Sequence, residues 1–153
     1  MVRRYLITRH YMTSFRSQVR DNAVALISLV VALSSLGYNT WRNEHTERNQ
    51  NVRTAGFDIL TKLAEFERVV FLAQYDRDAN GGNPRTGWTY VIVIRDLSDV
   101  MPEQVTQQAT SLQKVWGQNW EGLGKDDDAA INRIDDAITK LRQTTLQTLH
   151  SLR

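Results

Sequence analysis

The chain has 153 residues, which is enough for a single domain with a buried core. It contains no cysteine, and this excludes disulfides, thiolate metal sites and cysteine nucleophiles. The net charge is +2, but the excess of positive charge is confined to residues 1–22, and the rest of the chain is slightly acidic. A nucleic-acid-binding domain would carry its positive charge on a folded face, so we expect no nucleic-acid partner.

A basic N-terminal arm, residues 1–22, precedes an uncharged stretch, residues 23–41, with the sequence AVALISLVVALSSLGYNTW. The arginines of the arm are Arg3, Arg4, Arg9, Arg16 and Arg20. As an α-helix the uncharged stretch would be about 28 Å long, close to the ~30 Å hydrocarbon core of a bilayer. Tyr38 and Trp41 stand at its outer end, where aromatic rings favour the headgroup layer. The pattern predicts a transmembrane helix at residues 23–41.

Charges on the two sides of this stretch differ, with arginines before it and mixed charges after it. The positive-inside rule then predicts a cytoplasmic arm and an extracytoplasmic C-terminal domain. By analogy with bacterial single-pass proteins we expect the inner membrane and a periplasmic domain. Two other interpretations stay open: a signal peptide cleaved near Ser35 or Gly37, and a buried helix of a soluble protein. We favour the anchor because the helical pattern continues past Gly37.

Small residues form a stripe within the predicted anchor, at Ala25, Ser28, Ala32 and Ser35. Their spacings of three, four and three residues place them on one face of a helix. In lipid, small side chains let two helix backbones approach closely. The stripe therefore predicts association with another membrane protein or with a second copy of the chain.

Residues 42–51 are polar on all sides and predict a helical stalk or a flexible joint before a helical bundle at residues 52–153. Apolar residues then recur at alternating spacings of four and three, as on one face of a helix. These residues are Val52, Gly56, Ile59, Leu63, Phe66, Val70 and Ala73. Leu60, Phe71 and Leu72 are expected to widen the stripe. The helix should end near residues 76–78, before the breaker NGGNP at residues 80–84.

A second apolar segment covers residues 88–101, and its part at residues 88–94 fits a helix or a strand, since it is rich in β-branched residues. We predict a helix because nothing else in the sequence offers a partner strand. Pro102 is expected as the first residue of a third helix, which Gly122 and Gly124 end. The inner positions of that helix are Val105, Ala109, Leu112, Trp116 and Asn119.

Three acids, Asp126, Asp127 and Asp128, precede a fourth apolar stripe and are expected to cap a helix N-terminus rather than to bind metal. The stripe consists of Ile131, Ile134, Ile138, Leu141, Thr145, Leu149 and Leu152. Two long helices with two shorter ones between them predict an all-α, antiparallel, up-down-up-down four-helix bundle. The fourth helix should then return toward the start of the first.

The segment Asp76-Arg77-Asp78-Ala79-Asn80-Gly81 resembles the opening of an EF-hand calcium loop. Alternating oxygen ligands at Asp76, Asp78 and Asn80 would converge on one hard cation. The resemblance ends there, because Gly87 stands where the bidentate glutamate belongs. The other interpretation is a polar turn after a helix, since aspartate, asparagine and glycine are typical turn residues. Calcium is therefore the alternative to a polar turn at this motif, and no other cofactor is expected.

Three further residues are candidates for a ligand site: Arg95, Trp116 and Trp120. Arg95 follows an apolar run and could hold a carboxylate by a forked contact, or lie at the bundle edge with its head in water. Trp116 and Trp120 stand one helical turn apart and could line a cleft or pack in the core and rim. The three histidines lie far apart and lack the spacing of a helical metal site.

The sequence contains no catalytic triad pattern, phosphate-binding loop or dinucleotide fingerprint, so we do not expect an enzyme. We expect a membrane-anchored protein that acts by binding, as an accessory or structural subunit of a membrane complex. The alternative is an extracytoplasmic ligand-binding sensory module without an output domain of its own. That alternative is an analogy of architecture with the anchored helical sensor domains of bacterial receptors.

Overall fold

The computed structural model describes residues 22–125 and 127–152, and all regular structure within these ranges is helical. The α-helices are α1 (Ala23–Phe71), α2 (Pro84–Leu97), α3 (Glu103–Asn119) and α4 (Asp128–Ser151). A π-helical segment (Leu72–Asp76) extends α1, and 3₁₀ turns follow α2 at Ser98–Val100 and α3 at Trp120–Gly122. The predicted all-α class is confirmed. The chain divides into two compact units, Met1–Thr46 and Glu47–Arg153.

The first unit, in its described part, is the N-terminal portion of α1. Its large apolar side chains are 46–78% exposed, from Leu26 at the lower end to Val24 at the upper. The Ser35 hydroxyl donates to the Val31 carbonyl at 2.8 Å, and the Thr40 hydroxyl donates to the Leu36 carbonyl at 3.0 Å. By length and composition this is a helix that could cross a membrane, and none of its apolar window is buried. The predicted basic arm, apart from Asn22, lies outside the described residues.

The second unit begins within the predicted stalk, whose residues 42–51 are helical. From Val52 to Val70 the predicted apolar stripe of α1 is buried, and Ala73 is half-buried. The stripe widens toward Ala55 and Val69, which are both buried. The expectation for Phe71 was wrong, because its ring is 53% exposed and packs on the Tyr75 ring, with 5.0 Å between centroids.

Helix α2 confirms the helical interpretation of residues 88–94, although it begins at Pro84 rather than Trp88. The Asn83 side chain accepts a hydrogen bond from the Arg85 backbone N–H at 2.9 Å and caps the helix. Pro102 immediately precedes α3 and is not its first residue. The five inner positions predicted for α3 are all buried.

Helix α4 starts with the expected cap, since the Asp127 carboxylate accepts from the Ala130 backbone N–H at 3.0 Å. Asp128 lies in the first turn, where a negative charge favours the helix dipole. Asp126 lies outside the described residues. The predicted stripe is buried from Ile131 to Thr145, and Leu149 and Leu152 are half-buried.

Contacts between α1 and α4 show an antiparallel pair. Arg142 Nη2 lies 2.6 Å from Glu67 Oε2. A Cβ on Gly56 would lie 2.8 Å from Leu149 Cδ2. Residues nearer the N-terminus of α1 therefore contact residues nearer the C-terminus of α4, so the two helices run in opposite directions.

The middle helices alternate in the same way. A Cβ on Gly87 would lie 2.4 Å from Trp116 Cζ2, while the Thr106 hydroxyl donates to the Ser98 carbonyl at 2.7 Å. The residues in contact are closer together in sequence near the turn between α2 and α3, so these two helices are also antiparallel. The up-down-up-down order expected from the sequence is confirmed. The fully buried rings of Phe66 and Trp116 pack edge to face within the core, with 5.0 Å between their centroids.

Candidate functional site

Irregular backbone concentrates at the end of the bundle where α1 gives way to the loop before α2. The π-helical segment is followed by Arg77, whose φ of 49° and ψ of 32° lie in the left-handed region. The next N–H, that of Asp78, donates to the Leu72 carbonyl at 3.1 Å. Short π-helical segments and left-handed non-glycine residues are strained local structures that are frequent at functional sites.

The loop after Arg77 is held by its own polar groups. Asp78 Oδ1 accepts from the Asn80 backbone N–H at 2.9 Å, and the Gly82 N–H donates to the Asp78 carbonyl at 2.8 Å. Hydrogen bonds from the backbone N–H groups of Asn80 and Gly81 lower the pKa of the Asp78 carboxyl, since they stabilise its charged form. A Cβ on Gly82 would lie 2.5 Å from the Ala73 backbone nitrogen. The loop backbone therefore lies directly against the end of the helix.

The turn between α3 and α4 is tied to the same place. Gly124 has a φ of +70°, a conformation that glycine adopts without steric cost. Its N–H donates to Gln74 Oε1 at 2.9 Å, across 50 positions of sequence. This hydrogen bond thus joins the turn between α3 and α4 to the π-helical segment, which leads into the loop before α2.

An open cleft of about 490 Å³ lies between these two loops, and we call it the loop-end cleft. Its volume is within the range of small-molecule sites. The lining residues are Ala73, Arg77, Asp78, Ala79, Gly82, Pro84, Trp120, Glu121, Leu123, Gly124 and Lys125. The half-buried Trp120 ring packs against the core. The cleft therefore combines an aromatic wall and apolar surface with charged side chains of both signs.

The sequence candidates are divided among different places. Trp120 lines the loop-end cleft, whereas Trp116 is fully buried in the core and its Nε1 has no hydrogen-bond partner among the described residues. Arg95 is on α2 and binds Asp99 in the 3₁₀ turn that follows this helix, with 2.6 Å between Nη1 and Oδ1. That geometry fits the edge interpretation of Arg95. Residue spacing gives no sign of the cleft, because Arg77 and Lys125 are distant in sequence.

One of the three proposed calcium residues, Asp78, lines this cleft. Asp76 ends the π-helical segment, and the Asp78 carboxylate accepts backbone N–H groups of its own turn. Within residues 22–125 and 127–152, no group of three or more acidic or histidine side chains is placed to hold a metal ion. The hydrogen bond of Asp78 is the one expected for a polar turn. Calcium binding by Asp76, Asp78 and Asn80 stays a prediction.

The association stripe predicted in the anchor belongs to the first unit. Ala25, Ser28, Ala32 and Ser35 are all exposed there. Aromatic rings follow at the end of the uncharged stretch, with 6.2 Å between the Tyr38 and Trp41 centroids. The His45 ring then meets the Trp41 ring at 4.6 Å. Association through the stripe stays a prediction.

One acidic cluster lies on the outer surface of α1 and α4. The Arg142 guanidinium binds Glu67, and Asp135 and Asp136 are nearby on α4. Partial loss of hydration, with smaller repulsion from Glu67 and Asp136, raises the pKa of the Asp135 carboxyl. The cluster has a single close ion pair among its described members and a carboxyl that is less stable when charged.

Comparisons with known proteins give no relative. No protein-family model matches the chain, and neither the curated proteins nor the solved structures include a significant match.

Proposed function

We propose that the chain is a single-pass membrane protein whose helical bundle acts by binding, as an accessory or structural subunit of a membrane complex. The observation that carries the proposal is the exposure of the first unit's apolar side chains. Seven consecutive positions, residues 24–30, are exposed although five of them are Val, Leu or Ile. Covering such a surface with lipid removes its cost in water.

The same proposal assigns residues 1–22 to the cytoplasm and the bundle to the periplasm of a bacterial cell. It is supported by the arginines before the anchor and by the Tyr38–Trp41 pair at its other end. Internal hydrogen bonds of Ser35 and Thr40 suit a helix in lipid, because the hydroxyls need no partner from water.

Membrane fractionation of the full chain tests the anchor. We expect the protein to stay in the pellet after an alkaline carbonate wash and to keep the mass of the full sequence. Release into the supernatant would contradict the anchor. A mature form beginning near residue 37 would instead establish the cleaved signal peptide, which leaves the bundle without a membrane segment.

The partner is tested by purification in a mild detergent after crosslinking. We expect a stoichiometric membrane protein or a second copy of the chain, held through the small-residue stripe. Leucine at Ser28 and Ala32 should abolish the crosslink, since larger side chains keep the backbones apart. Val30→Leu is the matched control, because by the helical repeat Val30 lies on the opposite side of the helix. Equal loss in both variants would contradict the stripe.

A second candidate function is ligand sensing by the bundle, and the loop-end cleft is the observation that favours it. Its walls come from segments 50 positions apart in sequence that a hydrogen bond joins. Ligand binding at this point would change how the end of α1 packs against the α3–α4 turn. A rise in melting temperature with a small ligand, without a membrane partner, would favour this function over the subunit role.

Calcium is tested in the same melting experiment. If Asp76, Asp78 and Asn80 form a site, millimolar calcium raises the melting temperature and Asp78→Asn removes the rise. An unchanged melting temperature would remove the cation from the account.

A further inference from the structure

Three polar side chains share one face of α1 where the uncharged stretch ends. Tyr38, Arg42 and His45 are four and three residues apart, a spacing that places them next to one another along a helix. All three are exposed, and Tyr38 is exposed to 60%. A phenol, a guanidinium and an imidazole each donate hydrogen bonds, so this face presents a row of donors. We call these three residues the donor row.

Trp41 packs against two members of the donor row. Its ring centroid lies 6.2 Å from that of Tyr38 and 4.6 Å from that of His45, which it meets edge to face. These ring contacts restrict the rotamers of Tyr38 and His45 before a ligand arrives, and this lowers the entropy lost on binding. Indole and phenol rings also favour the headgroup layer of a bilayer, so the row is accompanied by side chains that hold it there.

Arg42 is the charged member of the donor row, and its charge has no acid beside it. Within residues 22–125 and 127–152, no side chain forms an ion pair or a hydrogen bond with its guanidinium. The residues three and four positions from Arg42 on either side carry no negative charge. Glu44 is two residues away and therefore points to a different side of the helix. An exposed guanidinium without an acidic neighbour matches a phosphate, whose oxygens accept its paired donors.

The donor row also lies at the depth of lipid phosphates, given the proposed anchor at residues 23–41. At 1.5 Å per residue, His45 is about 6 Å beyond Trp41 along the helix. The polar layer of a bilayer adds about 5–8 Å on each side of the hydrocarbon core. Arg42 and His45 therefore fall within that layer, where the phosphates of phospholipids are the nearest abundant anions.

We infer that the donor row binds the phosphodiester of a phospholipid in the periplasmic leaflet, with Arg42 as the main contact and Tyr38 and His45 beside it. This inference rests on the proposed membrane anchor and names a lipid partner for it. It is independent of the small-residue stripe and of the loop-end cleft, so neither of those tests bears on it.

The test uses the full chain in a mild detergent, with dioleoyl phosphatidylglycerol as the probe and native mass spectrometry to count bound lipid. The chain should bind this lipid in a saturable manner. Dioleoylglycerol has the same acyl chains without the phosphate and should bind at least about tenfold more weakly, as expected from loss of a charged hydrogen bond. Dioleoyl phosphatidylcholine, which keeps the phosphodiester, should also bind more tightly than dioleoylglycerol.

Arg42→Gln removes the charge and keeps a good helix former at an exposed position. It should weaken phosphatidylglycerol binding at least about tenfold and leave dioleoylglycerol binding unchanged. Arg53→Gln, at an exposed arginine of the second unit, is the matched control and should bind lipid as the unchanged chain does. As a second measurement, the indole N–H signal of Trp41, assigned with Trp41→Phe, should shift with phosphatidylglycerol in the unchanged chain and stay in place in Arg42→Gln.

Equal affinity for phosphatidylglycerol and dioleoylglycerol, or equal loss in Arg42→Gln and Arg53→Gln, would overturn the inference. Either result leaves the anchor standing as long as the unchanged chain resists the carbonate wash. Release of the unchanged chain by that wash would remove the anchor and the lipid contact together, so the two failures are distinguishable.

Discussion

Leucine, isoleucine and valine side chains are exposed in the described part of the first unit, whereas most of those in the second unit are buried or half-buried. In residues 23–41 these side chains point in all directions around the helix and stay exposed. In the bundle they form one stripe per helix, and Ile59, Leu63, Ile94, Leu112 and Ile134 are completely buried. The same residue types thus have two different environments, and the difference follows from their distribution around the helix.

This comparison explains why one helix can contain both patterns. A stripe of apolar residues can be covered by a few neighbouring helices, as in the bundle. An apolar surface on all sides of a lone helix has no such cover, and lipid satisfies it. Polar residues 42–51 separate the two patterns. The same kind of substitution should therefore have different effects in the two units. In the second unit it should change the stability of the bundle, and in the first unit it should change membrane insertion.

The largest effect is expected from removing a tryptophan in each unit. Trp116→Ala should cost about 3–5 kcal/mol of unfolding free energy, because it leaves a cavity against Phe66. Trp41→Ala should leave the unfolding free energy of the bundle unchanged, since Trp41 is in the other unit and 57% exposed. Urea denaturation in detergent measures both. Similar losses in the two variants would break the comparison.

An arginine introduced into each unit should have its large effect in the first unit and little effect in the second. Val31→Arg should cost about 2.5–3.5 kcal/mol of membrane insertion and move protein into the carbonate supernatant. Ile92→Arg is the matched control, because Ile92 is an exposed apolar residue of the bundle. It should change neither insertion nor stability by much. Full retention of the Val31 variant in the membrane would contradict a transmembrane position.

Glycine-to-alanine exchange gives a smaller effect. In Gly87→Ala the new Cβ would lie 2.4 Å from the Trp116 ring, and such overpacking costs about 1–3 kcal/mol. At Gly37 a Cβ meets nothing within 4 Å, so Gly37→Ala should leave bundle stability unchanged. Thermal melts of the two variants decide the point. An unchanged melting temperature for Gly87→Ala would show that α2 can move away from Trp116.

The smallest effect is expected at Asp135 and depends on pH. The folded state raises its pKa above 3.8, so its contribution to stability is full below that pH and is lost as pH rises through the folded pKa. Asp135→Asn should therefore stabilise the bundle at neutral pH, by less than about 1 kcal/mol because solvent screens the charges. Asp96→Asn on α2 is the control. A lower free energy of unfolding for Asp135→Asn at neutral pH would contradict this prediction.

Much of the bundle could be predicted because burial follows helical spacing. The inner positions of α3 and α4, and the cap at Asp127, come directly from the pattern of residues. The side toward which the buried stripe of α1 widens could not be predicted, because apolar residues lie on both sides of the stripe. Ala55 and Val69 lie on one side and Leu60 and Phe71 on the other, and only the positions of neighbouring helices decide between them.

The loop-end cleft could be predicted only in part. Trp120 and Trp116 were candidates together, but their spacing does not show that Trp116 is buried in the core while Trp120, at the end of α3, lines the cleft. The π-helical segment before Arg77 has no signal in residue spacing. The pairing of Gln74 with Gly124 is a long-range contact that helix periodicity does not report.

The most direct test of the account is labelling of single cysteines in intact cells, which the absence of native cysteine makes clean. Cysteine is introduced at Ser17, Val30 or Ile92 and exposed to a membrane-impermeant maleimide that reaches the periplasm. The account predicts labelling at position 92 in intact cells, at position 17 only after lysis, and at position 30 only after the membrane is dissolved. Labelling of position 30 in intact cells, or protection of position 92 until lysis, would contradict it.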